Sequence, residues 1–155
     1  MRALATLSAI FAALFSGPIH ADVVPIEVAA IEVRLFLADS GQLSEPITED
    51  SELWNTIIGE GEATKPSTST LVKVLVTGPR GGYDREAAVT VTIIKVNSQA
   101  KPTVQRKALG VFSSKGKQYV AFWLENTGCE ELQVTARIGT ARKVVGQRIP
   151  FHCGE

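Results

Sequence analysis

The chain is short of the residues that most enzymes use. It has only two histidines among 155 residues, and one of them, His20, falls in a segment read below as a removed leader. A Ser–His–carboxylate triad would therefore have to be built on His152, and no Gly-x-Ser-x-Gly elbow is present to carry its nucleophile. Zinc chemistry needs three or four converging His, Cys or carboxylate ligands, which a single histidine and two cysteines with no Cys-x-x-Cys spacing do not supply. Gly59-Glu60-Gly61 resembles the start of a nucleotide loop. It lacks the third glycine and a following helix, and its carboxylates would repel phosphate. Neither a metal nor a cofactor is expected. A pair of carboxylates could still hydrolyse a glycosidic bond, but sixteen acidic residues single out no such pair.

Net charge is also missing: sixteen basic residues face sixteen acidic ones. Nucleic-acid binders carry a clear basic excess, so no nucleic-acid partner is expected. Long apolar runs are confined to the start of the chain. Arg2, the apolar stretch ALATLSAIFAALF at residues 3–15, the breaker Ser16-Gly17-Pro18 and the small Ala21 read together as a secretory signal peptide over residues 1–21. The run is too short for a membrane span, which needs roughly 20 residues. The expected product is residues 22–155, a single domain with one core and no transmembrane segment, in the periplasm or secreted.

What is present is β-strand sequence. Residues 118–125 (QYVAFWLE) are rich in β-branched and aromatic types, and both alternating sets, Tyr119–Ala121–Trp123 and Val120–Phe122–Leu124, are apolar. That predicts a strand that is central or covered on both faces. Asn126-Thr127-Gly128 then predicts a reversal with residues at positive φ. Residues 131–138 alternate cleanly, with Leu132, Val134, Ala136 and Ile138 on one face. In residues 144–153, Val145, Ile149, Phe151 and Cys153 share one parity. Cys129 and Cys153 are expected to pair, since two cysteines in an exported chain usually do. The bridge would hold the C-terminus against fraying, and closing a loop of about 25 residues contributes ~3.5 kcal/mol on the chain-entropy model.

Upstream, residues 31–37 alternate out of phase with Ile26 and Val28, which predicts a bulge near Ala29-Ala30 and allows the strand to cross between sheets there. Residues 39–67 are irregular. Within them, Leu53, Trp54, Ile57 and Ile58 fit either a short strand or one helical turn, and a connection of this length is usually functional or has structure of its own. Residues 68–77 and 87–96 read as strands that pair as a hairpin across the turn signal Gly78-Pro79-Arg80-Gly81-Gly82. Residues 103–112 read as a weaker strand. Seven or eight short strands, with no long helix, predict an all-β, antiparallel two-sheet β-sandwich of immunoglobulin- or fibronectin-like type with one disulfide. The immunoglobulin pattern of two core cysteines around a tryptophan is missing.

The charge balance conceals an asymmetry. Residues 22–62 hold ten acids against Arg34 alone, a net of −9, whereas residues 63–155 hold fourteen bases against six acids, a net of +8. The acidic stretch can pack beside basic strands so that the asymmetry vanishes on folding. Alternatively, Glu49, Asp50, Glu52, Glu60 and Glu62 form a surface that docks a basic partner, with Trp54 as its aromatic anchor. A calcium site is a third reading, although the Glu49-Asp50-Ser51-Glu52 spacing matches no standard calcium loop. Trp123 is expected to be buried, as tryptophan is on average. If it and Tyr119 were exposed instead, they would form a sugar-stacking platform. The sequence thus points to an exported, non-catalytic module acting at the acidic loop on an unknown protein partner, to which a basic surface would be complementary. A carbohydrate-binding module is the alternative, and a small carboxylate hydrolase a third class.

Overall fold

The computed structural model describes residues 24–61 and 63–153. The expected signal peptide and Glu62 lie outside the described residues. Two four-stranded antiparallel sheets face each other. The first runs β2 (Gln42–Leu43), β1 (Glu27–Leu37), β4 (Ser69–Thr77), β7 (Lys117–Glu125). The second runs β6 (Thr103–Ala108), β5 (Ala88–Lys95), β8 (Leu132–Ile138), β9 (Val145–Ile149). A two-stranded parallel ribbon of β3 (Leu53–Trp54) and β10 (Phe151–His152) closes one end. This is the expected antiparallel two-sheet sandwich.

The alternation read from the sequence decides which side chains face inward. Val72, Val74 and Val76 of β4 and Val120, Phe122 and Leu124 of β7 meet Val89, Val91 and Ile93 of β5 and Leu132, Val134 and Ala136 of β8 in one core. Leu53, Ile47, Ala63 and Phe151 extend that core at one end, and Leu109 and Phe112 at the other. The buried hydroxyls find partners, as burial requires: Thr70 Oγ1 and Thr127 Oγ1 bond to each other at 2.7 Å, and Thr56 Oγ1 donates to the Gly128 carbonyl at 3.2 Å.

Several expectations are corrected. Residues 68–77 and 87–96 do not form a hairpin: β4 pairs with β1 and β7, β5 pairs with β6 and β8, and residues 78–87 carry the chain from one sheet to the other. Both strands bury an apolar set, and apolarity says which face is inside but not which strand is the neighbour. The bulge falls between Val28 and Ala30, yet β1 keeps β4 as its partner along its whole length and does not change sheets. Residues 144–153 are two strands rather than one, split at Pro150, which lacks the N–H to continue a ladder. Residues 51–58 satisfy both readings at once. The two-residue β3 is followed by a single turn in which the N–H groups of Ile58 and Gly59 donate to the Asn55 carbonyl.

The largest correction concerns β7. It is the edge of its sheet, and only one of its two apolar faces is covered. Tyr119 and Trp123 point outward, with 58% and 43% of their surfaces exposed. Trp123 is therefore not a core residue. The free edge is blunted from the opposite sheet: Lys107 Nζ donates to the Ala121 carbonyl at 2.6 Å and Gln105 Nε2 to the Trp123 carbonyl at 2.9 Å. Charged side chains laid on an edge strand discourage a further strand from pairing there.

Candidate functional site

The acidic stretch gathers at the end of the sandwich where β1, β5 and β9 finish and β4, β6 and β8 begin. Three devices hold it. The β3–β10 ribbon fixes Leu53 inward and Trp54 outward, and the Asn55 N–H continues the ladder to the His152 carbonyl at 2.9 Å. The Cys129–Cys153 disulfide ties the residue after β10 to the β7–β8 connection, with 4.6 Å between Cα atoms. Glycines allow the return of the chain: Gly59 and Gly61 have φ of +85° and +71°, a region L side chains rarely adopt. A Cβ on Gly61 would lie 2.8 Å from the Glu52 carbonyl oxygen, so the chain at Glu60-Gly61 lies against the backbone of 52–54.

On this frame the candidate residues separate into roles. Trp54 is 48% exposed and stacks on the His152 imidazole at 4.9 Å between centroids, 29° from parallel. Ile57 and Ile58 in the following turn are 44% and 63% exposed. Glu49, Asp50, Glu52 and Glu60 are all at the surface. Glu60 Oε2 accepts from Asn55 Nδ2 at 2.8 Å, and Glu49 Oε1 accepts from the Arg148 backbone N–H at 3.3 Å. The structure adds Glu130 and Glu131 to the same end, placed there by the residue that carries the disulfide. Arg148 grips both oxygens of Glu131 at 2.7 and 2.6 Å. These hydrogen bonds hold the Glu131 carboxyl below its ordinary value and raise Arg148 further. Beside the loop, a pocket of about 450 Å³ is lined by Leu35, Leu37, Ile47 and Leu53 together with Glu45 and Thr64.

A second feature lies on the outer face of the first sheet. Register places Trp123 opposite Leu71, Ala121 opposite Lys73 and Tyr119 opposite Leu75. Between the two rings on this face of β7 stands only the small, exposed Ala121. Trp123 also meets Phe36 edge-on at 5.7 Å, and Lys73 Nζ sits 5.4 Å from the Tyr119 ring centre. On the same sheet Glu32 Oε1 bonds to Lys73 Nζ at 2.7 Å and to Arg34 Nε at 2.6 Å. Lys73 first and Arg34 second lower the Glu32 carboxyl from its ordinary value. Sequence reasoning named Tyr119 and Trp123 as a pair but missed Phe36 and the Glu32–Lys73–Arg34 cluster. Strand register brings those residues together, and no local spacing announces it.

A hydrolytic acid requires a carboxyl whose pKa is raised, whereas the carboxyls displaced here, Glu32 and Glu131, are both lowered. Among the described residues no group of three or more His, Cys, Asp or Glu side chains is placed to hold a metal ion. No protein-family model matches this chain, and no curated protein matches it either, so its reading rests on these two surfaces.

Proposed function

We propose that this chain is an exported, non-catalytic binding module that docks a protein partner through its acidic end. The observation that carries this reading is an apolar group, Trp54, Ile57 and Ile58, left exposed in a loop bearing the carboxylates Glu49, Asp50, Glu52 and Glu60. Exposed apolar side chains rimmed by charge are the usual anatomy of a docking surface. Trp54 suits an anchor because its ring is already positioned by His152 and by the ribbon beneath it, so little side-chain freedom remains to be lost on binding. The disulfide fits an oxidising compartment. No helix of the described residues is long and apolar enough to cross a membrane.

Affinity capture from an envelope extract tests this. The parent protein is expected to retain one near-stoichiometric partner. That partner should be lost with Glu49→Lys/Asp50→Lys/Glu52→Lys and weakened at least tenfold with Trp54→Ala, each variant having first been checked for a parental circular dichroism spectrum. Equal retention by all three baits would sink the acidic-end reading. The exposure of Tyr119 and Trp123 favours a second reading, in which this face of β7 takes a glycan and the rings stack on sugar faces. It predicts retardation of the parent, but not of Tyr119→Ala/Trp123→Ala, in polysaccharide-containing gels.

A further inference from the structure

The end of the sandwich opposite the acidic one mirrors it in sign. Residues 78–87, 109–116 and 139–144 meet there and are stitched together. The Phe112 N–H donates to the Gly82 carbonyl at 2.9 Å, the Gly78 N–H to the Gly116 carbonyl at 3.0 Å, and Lys143 Nζ pairs with Glu27 at 2.7 Å. The buried Phe112 ring lies over Gly78, where a Cβ would come within 2.7 Å of it, so these loops form a fixed surface. That surface presents Arg80, Arg85, Lys115, Lys117 and Arg142, all exposed and none in an ion pair among the described residues. Asp84 and Glu86 are the acids beside them, and Asp84 Oδ1 is occupied in capping the backbone N–H groups of Glu86 and Ala87. Among these cations stand Tyr83, Val111 and Val144, exposed by 61%, 66% and 52%. At the acidic end the cations Lys65, Lys95 and Arg148 are each paired with a local acid, Asp39, Glu130 and Glu131, which leaves Glu45, Glu49, Asp50, Glu52 and Glu60 outside any ion pair among the described residues. Each end therefore offers exposed apolar side chains among unpaired charges of predominantly one sign, and the signs are opposite.

We infer that the partner of the acidic end is the basic end of a second copy of this chain. The inference rests on the docking reading above and names its occupant. Nine-residue strands such as β4 and β7 separate the two ends by roughly 30 Å, several times the ~8 Å over which charges interact at physiological ionic strength. The two charged surfaces cannot compensate each other within one molecule; they can do so only between molecules. Symmetric pairing of acidic end with acidic end, or basic with basic, would set like charges face to face, so the charge pattern selects a head-to-tail contact. Such a contact is heterologous and repeats, building short open chains or rings rather than a closed dimer. At the junction Trp54, Ile57 and Ile58 of one copy would cover Tyr83, Val111 and Val144 of the next.

Sedimentation velocity over a range of micromolar concentrations is the test, using the purified protein and two charge-reversed variants. The first is Glu49→Lys/Asp50→Lys/Glu52→Lys and the second Arg80→Glu/Lys115→Glu/Lys117→Glu, each confirmed as folded by thermal unfolding. The parent is expected to grow in mass with concentration at low salt and to return to monomer near ~1 M salt, where the Debye length falls to ~3 Å. Each variant alone should associate at least tenfold more weakly. Mixed together they should form a one-to-one complex, because the first retains a native basic end and the second a native acidic end. A parent that stays monomeric at every concentration overturns the inference. So does association that survives either reversal. If the parent is monomeric while acidic-end capture of a different protein succeeds, self-docking falls and the docking reading stands; if capture is also indifferent to the acidic end, both fall.

Discussion

At Gly128 the chain adopts φ +126°, and a Cβ there would sit 2.5 Å from Thr56 Oγ1 and 3.1 Å from Ile57 Cγ1. Thr56 is fully buried and donates to the carbonyl of this same glycine, so it has no room to retreat. Gly128→Ala should therefore cost about 1–3 kcal/mol, the usual range for a residue forced into a sparsely populated backbone region. Because Thr56 and Ile57 belong to the loop at the acidic end, the loss should appear in urea titrations together with faster amide exchange over residues 53–61. Glu32 supports a prediction of another kind. Lys73 and Arg34 lower its carboxyl below the ordinary value of 4.5, so the unfolded chain binds a proton there at a higher pH than the folded one does. Stability from this group is complete above that ordinary value and is lost as pH falls through the lowered folded-state value. Glu32→Gln should melt below the parent at pH 7, and the gap should shrink on acidification. A gap that does not change with pH would mean the cluster contributes no charge-dependent stability. The sequence showed Gly128 as a turn residue. It could not show that Thr56, 72 positions away, occupies the space a side chain would need.

Among the elements, the β3–β10 ribbon is the one least able to hold itself. Each strand has two residues and they pair in parallel, so only a few backbone hydrogen bonds resist fraying. The disulfide next to β10 supplies what the ribbon lacks. Cys129→Ser/Cys153→Ser is expected to lose ~3.5 kcal/mol by the loop-closure argument. Amide exchange at residues 53–55 and 151–152 should rise well before that in β4 or β8, which native-state exchange would resolve. Uniform exchange changes across all strands would assign the bridge to global stability instead of to this end. The pairing of the cysteines was legible because they are the chain's two and its other features point to export. The ribbon was not legible, since a two-residue strand has no periodicity to read. For β7 the parity was read correctly and its consequence was not. Two apolar faces suggested cover on both sides, whereas tertiary structure leaves Tyr119 and Trp123 outside and uses Gln105 and Lys107 from the other sheet to guard the edge.

For the molecule as a whole, the separation of charge along the sequence becomes a separation in space. Most of the acidic stretch, from Asp39 to Glu60, lies in the long excursion between two strands that are neighbours in one sheet, so it stays at a single end. The basic loops 78–87 and 109–116, where the chain changes sheets, and 139–144, which joins β8 to β9, lie at the opposite end. The head-to-tail association proposed above would therefore draw on the charge of a whole end rather than on any one pair. Composition, alternation and cysteine usage by themselves determined an all-β sandwich, the inward-facing side chains of a strand with one polar face such as β8, and the disulfide, because side-chain burial has the period of the strand and can be read locally. Strand neighbours, the exposed edge at β7, the Glu32–Lys73–Arg34 cluster and the opposition of the two charged ends were decided only by tertiary structure. Each depends on which distant segments meet, and a period of two residues carries no information about partners.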